Sequence, residues 1–125
     1  MKKSWHEQQI CNLMKKCPRV KKNGFYKTLR EVFKEDGWGG DPLTARNYGY
    51  IPDAYIVNED AMNIVVFEVV DHHKITRERM CCITELWFGL DCEGWDMQMV
   101  AIYKHGRMRV DVTDNFYEQL YSRVA

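Results

Sequence analysis

The 125-residue chain lacks any apolar run near the eighteen or so residues that a membrane helix needs, so no membrane association is expected. Its start, MKKSWHEQQ, is charged but carries no apolar stretch or small-residue cleavage site, and does not read as a secretory signal. Five cysteines (Cys11, Cys17, Cys81, Cys82, Cys92) make an odd count with no CxxC spacing. That argues against a disulfide framework or a zinc knuckle and favours a reducing cytoplasm. No internal repeat, low-complexity tract or linker divides the sequence, and its length suits a single domain over residues 1–125 with one core. Net charge is absent too, since 18 basic and 18 acidic residues cancel.

The cancellation hides an asymmetry. Residues 1–34 hold ten Lys or Arg against Glu7 and Glu31 alone, which leaves eight basic and sixteen acidic residues for the rest of the chain. A split of that kind can set a polyanion-facing surface beside an acidic region that takes cations. Lys15, Lys16, Arg19, Lys21 and Lys22 are candidates for phosphate contacts, with Arg46, Tyr48 and Tyr50 as a clamp or stacking group. The plainer alternative is a solvated basic helix pair.

Periodicity predicts a first helix from Ser4 to Lys16, with Ile10, Leu13 and Met14 inward. Asn23-Gly24 reads as a turn into a second helix ending near Glu35, followed by an irregular, breaker-rich stretch from Asp36. Strands are expected in YIPDAYIV from Tyr50 and in NIVVFEVVD over 63–71. A helix follows in KITRERMCCITELWFGL, with Ile75, Arg79, Cys82, Ile83, Leu86 and Leu90 near one stripe. A hairpin turning at His105-Gly106 comes next, then a last helix capped by Asp114, with Phe116, Leu120 and Val124 inward. That order predicts an α+β fold with a mixed central sheet flanked by helices.

Glu68 is the anomaly. It is the only polar residue between Ile64 and Val70, in a strand apolar enough to be buried on both faces, and an ionised carboxylate there needs a partner. A two-residue turn at Asp60-Ala61 would set Val57 opposite Ile64 and Asp53 opposite Glu68. Two carboxylates so placed repel and raise one pKa unless a cation sits between them. A hard cation bound by carboxylate and carbonyl oxygens would meet that need, with Pro52 fixing the backbone before the first acid. The plain alternative is a buried structural acid paired with an arginine such as Arg109.

GYIPDAYIV, followed fifteen positions after Asp53 by FEVV, resembles the PD…(D/E)xK signature of the restriction-endonuclease-like nucleases. The succeeding helix and hairpin match that family's core in order, so the resemblance covers roughly residues 4–112. It implies a small nuclease hydrolysing phosphodiester bonds with Mg²⁺ or Mn²⁺, DNA favoured over RNA as the partner, and a homodimer as one assembly. It also implies that Asp53, Glu68 and the carbonyl of Val69 hold the metal, and that Glu7 on the first helix adds a further acid. The departure is Val70, which stands where the family has its lysine. His72 or Lys74 on the same strand face would be substitutes, or Arg77 or Lys74 returning from the next helix. Without a substitute the fold would be an inactive relative that binds nucleic acid or inhibits a protein partner.

Other signals have plain alternatives. Ser4 and Glu7 also fit a capping box, in which Glu7 serves only the helix end. His72-His73 and Cys81-Cys82 are adjacent pairs whose side chains diverge, so zinc is not expected there. Met97, Met99 and Met108 read as strand-face filling. A third class of function is an α+β interaction module in which Glu68 is purely structural.

Overall fold

The computed structural model describes residues 3–35, 50–70, 75–103 and 106–111. The expected last helix with Asp114, Phe116, Leu120 and Val124 lies outside them, as do Arg46, Tyr48, His72, His73 and Lys74. Helix α1 spans Trp5–Lys16 and α2 spans Phe25–Glu35; strands β1 (Ala54–Asn58) and β2 (Asn63–Val70) follow. Helix α3 (Arg77–Cys92) then leads to strands β3 (Asp96–Tyr103) and β4 (Gly106–Asp111). The architecture is α+β, and the first seven elements come in the expected order.

Local chemistry explains the boundaries. Ser4 caps α1, its Oγ accepting the Glu7 N–H at 3.1 Å, and Thr76 caps α3 by accepting the Arg79 N–H at 3.1 Å. Gly24 enters α2 at φ +78°, a conformation that costs a side-chain-bearing residue energy. β1 begins at Ala54, later than expected, because Pro52 has no N–H to give a ladder.

The sheet order is β1-β2-β3-β4, with β1–β2 and β3–β4 antiparallel and β2–β3 parallel. α3 makes the crossover between the parallel strands, which a hairpin cannot. The β1–β2 register is the expected one, Val57 opposite Ile64 and Ala54 opposite Phe67. Its connection differs from a bare two-residue turn: Glu59–Met62 form it, with the Met62 N–H on the Glu59 carbonyl at 3.1 Å and Met62 at φ +50°.

Alternation along the strands sorts the core into two layers. On one face Ile64, Val66, Met97 and Met99 pack with Phe25 and Leu29 of α2 and with Met80, Ile83, Leu86 and Leu90 of α3. On the other Ala54, Phe67, Val69, Val100 and Ile102 pack under Ile10, Leu13 and Trp5 of α1. Met97 and Met99 are fully buried, as strand-face filling requires. The sheet is thus covered on both faces, which is why β2 can be apolar at nearly every position. Among the described residues no helix is long and apolar enough to cross a membrane.

Candidate functional site

Glu68 follows Ile64 and Val66 on the face covered by α3, and only 2 % of it is exposed. The cation beside it is Arg79. This side chain leaves the first turn of α3 and grips the carboxylate twice, through Nε to Oε1 and through Nη2 to Oε2 at 3.1 Å. Nη2 also donates to the Ile51 carbonyl at 2.9 Å, and the guanidinium carbon lies 5.0 Å from the centre of the Tyr50 ring. The fork matches both carboxylate oxygens, the geometry for which arginine is suited and lysine is not. Tyr50 is buried above the pair, with its hydroxyl at 3.5 Å from Oε2, the far limit of a hydrogen bond.

Burial pushes the Glu68 carboxyl above the ordinary glutamate range, and Arg79 pulls against that shift by hydrogen bonding and charge. Asp53 adds to the rise, so the two acids feel each other electrostatically. Burial opposes the charge on Arg79 and is the largest single influence, but the hydrogen bond and charge of Glu68, with Tyr50 and Asp53, together outweigh it and raise its pKa. Tyr50 is raised well above the usual phenol value, by burial first and by Glu68 second.

Asp53 lies just ahead of β1 and closes the ladder there. Its N–H donates to the Phe67 carbonyl at 3.1 Å, and its Oδ2 accepts the Val69 N–H at 2.7 Å. The other oxygen, Oδ1, stands 3.3 Å from Nε2 of His6 on α1. Strand alternation alone would aim Asp53 and Glu68 at one point. Instead Glu68 is turned to α3, and Asp53 is held by the end of β2 and faces α1.

Of the three oxygen donors expected for Mg²⁺ or Mn²⁺, Glu68 is buried and each of its oxygens already accepts from Arg79, so its charge is balanced without an ion. Val69 meets Asp53 through its N–H. Asp53 does fit, since among the described residues Oδ1 meets only the facing imidazole and its side chain is 23 % exposed. Among the described residues no three His, Cys, Asp or Glu side chains converge.

Glu7 is exposed, and the contact that places it is its own N–H on Ser4. The residue α1 brings to the site is its neighbour His6. A signal for this was present: His6 stands one helical turn before Ile10 and so shares its inward stripe. Arg79 carried a signal as well, being a cation on the apolar stripe of α3, where only a buried anion would hold it. Arg77 is exposed.

The basic candidates lie away from this pair. Lys15, Lys16, Arg19, Lys21 and Lys22 are all exposed at the end of α1 and in the segment after it. Lys21 pairs with Tyr55 through two 2.9 Å backbone hydrogen bonds and so runs along the outer edge of β1. A groove of about 250 Å³ opens beside it, lined by Arg19, Lys21, Thr28, Tyr55, Val57 and Glu59. The far end of β1, Asn58, is ~17 Å from Asp53, at 3.3 Å per residue. That is a few nucleotides of backbone.

No family model, no curated protein and no solved structure matches the chain.

Proposed function

We propose that the chain is a small metal-dependent nuclease with a restriction-endonuclease-like core, cutting phosphodiester bonds of nucleic acid, DNA ahead of RNA. The observation that carries this is Arg79 on Glu68. It brings a basic group from α3 to the carboxylate whose own strand offers only Val70, and so supplies the charge that the resemblance to the family lacks. The register of β1 on β2, with Asp53 at the end of Glu68's strand, supports the same reading.

Each residue then has a task. Asp53 holds the cation side of the site, its orientation fixed by the Val69 N–H. Arg79 presents the phosphate side: Nη1 has no partner among the described residues, and the side chain is 34 % exposed, so two N–H groups are open to a phosphate oxygen. Glu68 and Tyr50 aim that guanidinium. A divalent ion, when bound, supplies a water of lowered pKa and neutralises charge on the phosphate. The exposed cations from Lys15 to Lys22 hold the backbone without reading sequence.

A second reading is the inactive relative that binds nucleic acid, favoured by the closure of both Glu68 oxygens on Arg79. The test is incubation of single-stranded DNA, duplex DNA and RNA with the chain in Mg²⁺ and in Mn²⁺. Cleavage that stops in chelator and in Asp53→Asn supports the nuclease. Salt-dependent binding with no turnover on any of the three substrates gives the second reading instead.

A further inference from the structure

The groove beside β1 is left by an interrupted strand pairing. Lys21 exchanges both its backbone hydrogen bonds with Tyr55, and the segment before it turns away at Pro18-Arg19, where the Val20 N–H bonds to the Cys17 carbonyl. Antiparallel alternation sends the N–H and carbonyl of Val57 to the same outer edge as those of Tyr55. Among the described residues no backbone group takes them. This edge opens on the groove of about 250 Å³ that Val57 shares with Thr28 of α2.

The polar lining is uncommitted. Arg19, Lys21 and Glu59 reach the groove and are exposed, yet among the described residues none has an ion-pair or side-chain hydrogen-bond partner. The Tyr55 hydroxyl gives its one proton to the Asn23 carbonyl at 2.7 Å, so it accepts in its 3.1 Å contact with Thr28. Thr28 Oγ1 has thereby given up its own proton and offers the groove only a lone pair.

Those groups describe a ligand with two unlike ends. Two cations suit an anion. The Thr28 oxygen, the Glu59 carboxylate and the Val57 carbonyl want N–H or O–H donors, which neither phosphate nor an acidic side chain supplies. A strand-adding peptide needs a run of open edge amides, and here only Val57 is open, between the Lys21 bridge and the turn from Glu59. One donor beside one acceptor suits the edge of an unpaired base instead. The volume agrees, falling just under the roughly 300–1,000 Å³ of pockets for drug-sized ligands.

We propose that the groove on the outer edge of β1 takes one unpaired nucleotide of a nucleic-acid strand, its base edge on the Val57 amide and its phosphate on Arg19 and Lys21. Val57 stands ~13 Å from Asp53 at 3.3 Å per residue, so the nucleotide flanks the bond to be cut. The inference rests on the nuclease reading for that use; the binding itself is tested in chelator, without turnover.

The experiment titrates the ¹⁵N-labelled full chain in chelator with each deoxynucleoside monophosphate, with inorganic phosphate and with a polyglutamate peptide, following the Val57 amide resonance. Arg19→Gln and Glu59→Gln are measured alongside, and the rest of each spectrum reports that the variant is folded. At least one nucleotide should shift Val57 and bind about tenfold or more tighter than phosphate, and each variant should weaken it about tenfold, as loss of a charged hydrogen bond does. A duplex with a single-stranded flank should shift Val57, and a blunt duplex should not. Val57 unmoved by every nucleotide, phosphate binding as tightly as the nucleotides, or a shift with polyglutamate alone would each overturn the subsite. Nucleotide binding at Val57 without cleavage of any nucleic acid in Mg²⁺ or Mn²⁺ would leave the subsite standing and sink the nuclease. Cleavage with Val57 unmoved would do the reverse.

Discussion

Replacing Arg79 with methionine removes the guanidinium while keeping an unbranched side chain for the apolar stripe, and leaves Glu68 buried without its cation. At pH 7 that carboxylate has two options, to remain charged in the core or to take a proton. The second sets a ceiling, because protonating an ordinary glutamate at pH 7 costs about 3.5 kcal/mol. Breaking a buried ion pair by removing one partner costs about 3–5 kcal/mol. Arg79 is one third exposed, and water already screens part of its attraction, so the lower end of that range applies, about 3 kcal/mol.

The cost has a pH signature. Burial already holds the Glu68 carboxyl above its usual value, and loss of the two influences from Arg79 that lower it moves it further up. The folded chain then keeps a proton that the unfolded chain has lost. Stability from this residue is therefore full below the unfolded pKa and is lost as pH rises through the folded one. The penalty of Arg79→Met should shrink by up to about 1.4 kcal/mol per pH unit on acidification. It should level near pH 4.5 at about 1 kcal/mol, the share of the Ile51 hydrogen bond and the Tyr50 stacking. Urea unfolding of wild type, Arg79→Met, Glu68→Gln and the double variant between pH 4.5 and 8 measures this. The double variant should recover about 2 kcal/mol over Arg79→Met at pH 7, since an amide carries no charge to desolvate. A penalty independent of pH, or a double variant no more stable than Arg79→Met, would refute the pairing as the reason Glu68 is tolerated in the core.

Two further predictions concern the first helix and the segment after it. Ser4→Ala should cost about 1 kcal/mol in urea unfolding, since the Glu7 N–H loses its acceptor, whereas Glu7→Ala should stay within about 0.5 kcal/mol and leave cleavage unchanged. Replacing Lys15, Lys16 and Lys21 with glutamine should flatten the slope of log affinity for duplex DNA against log salt by about 0.9 for each phosphate contact removed. Titration at several salt concentrations reads this, and an unchanged slope would take these residues out of the interface.

Much of the fold was legible because the local signals agree with one another. Ser4 before α1, Gly24 before α2 and Thr76 before α3 punctuate the chain where the apolar period changes. The register of β1 on β2 is read from a turn centred on Asp60-Ala61, and burial holds it, because a slip of one residue would turn Ile64 and Val66 out of their layer. The start of β1 was less legible: apolar residues from Tyr50 read as strand, but Pro52 removes a donor that a strand would need.

Glu68 shows where such reading stops. An apolar strand interrupted by one acid determined, from sequence alone, that a positive charge or a proton must accompany it, since a bare carboxylate is costly to bury in any fold. Whether that charge is an ion, Arg109 or Arg79 depends on which element packs over the even-numbered face of β2, and only the tertiary structure decided for α3 and Arg79. In the same way the alternation of β1 and β2 placed Asp53 beside Glu68, while the end of the strand decided where Asp53 points. There the side chain takes the Val69 N–H and meets His6 from a helix 47 residues earlier in the chain. Periodicity fixes a side chain's face; its partner is set by contacts between segments distant in sequence, which no local pattern encodes.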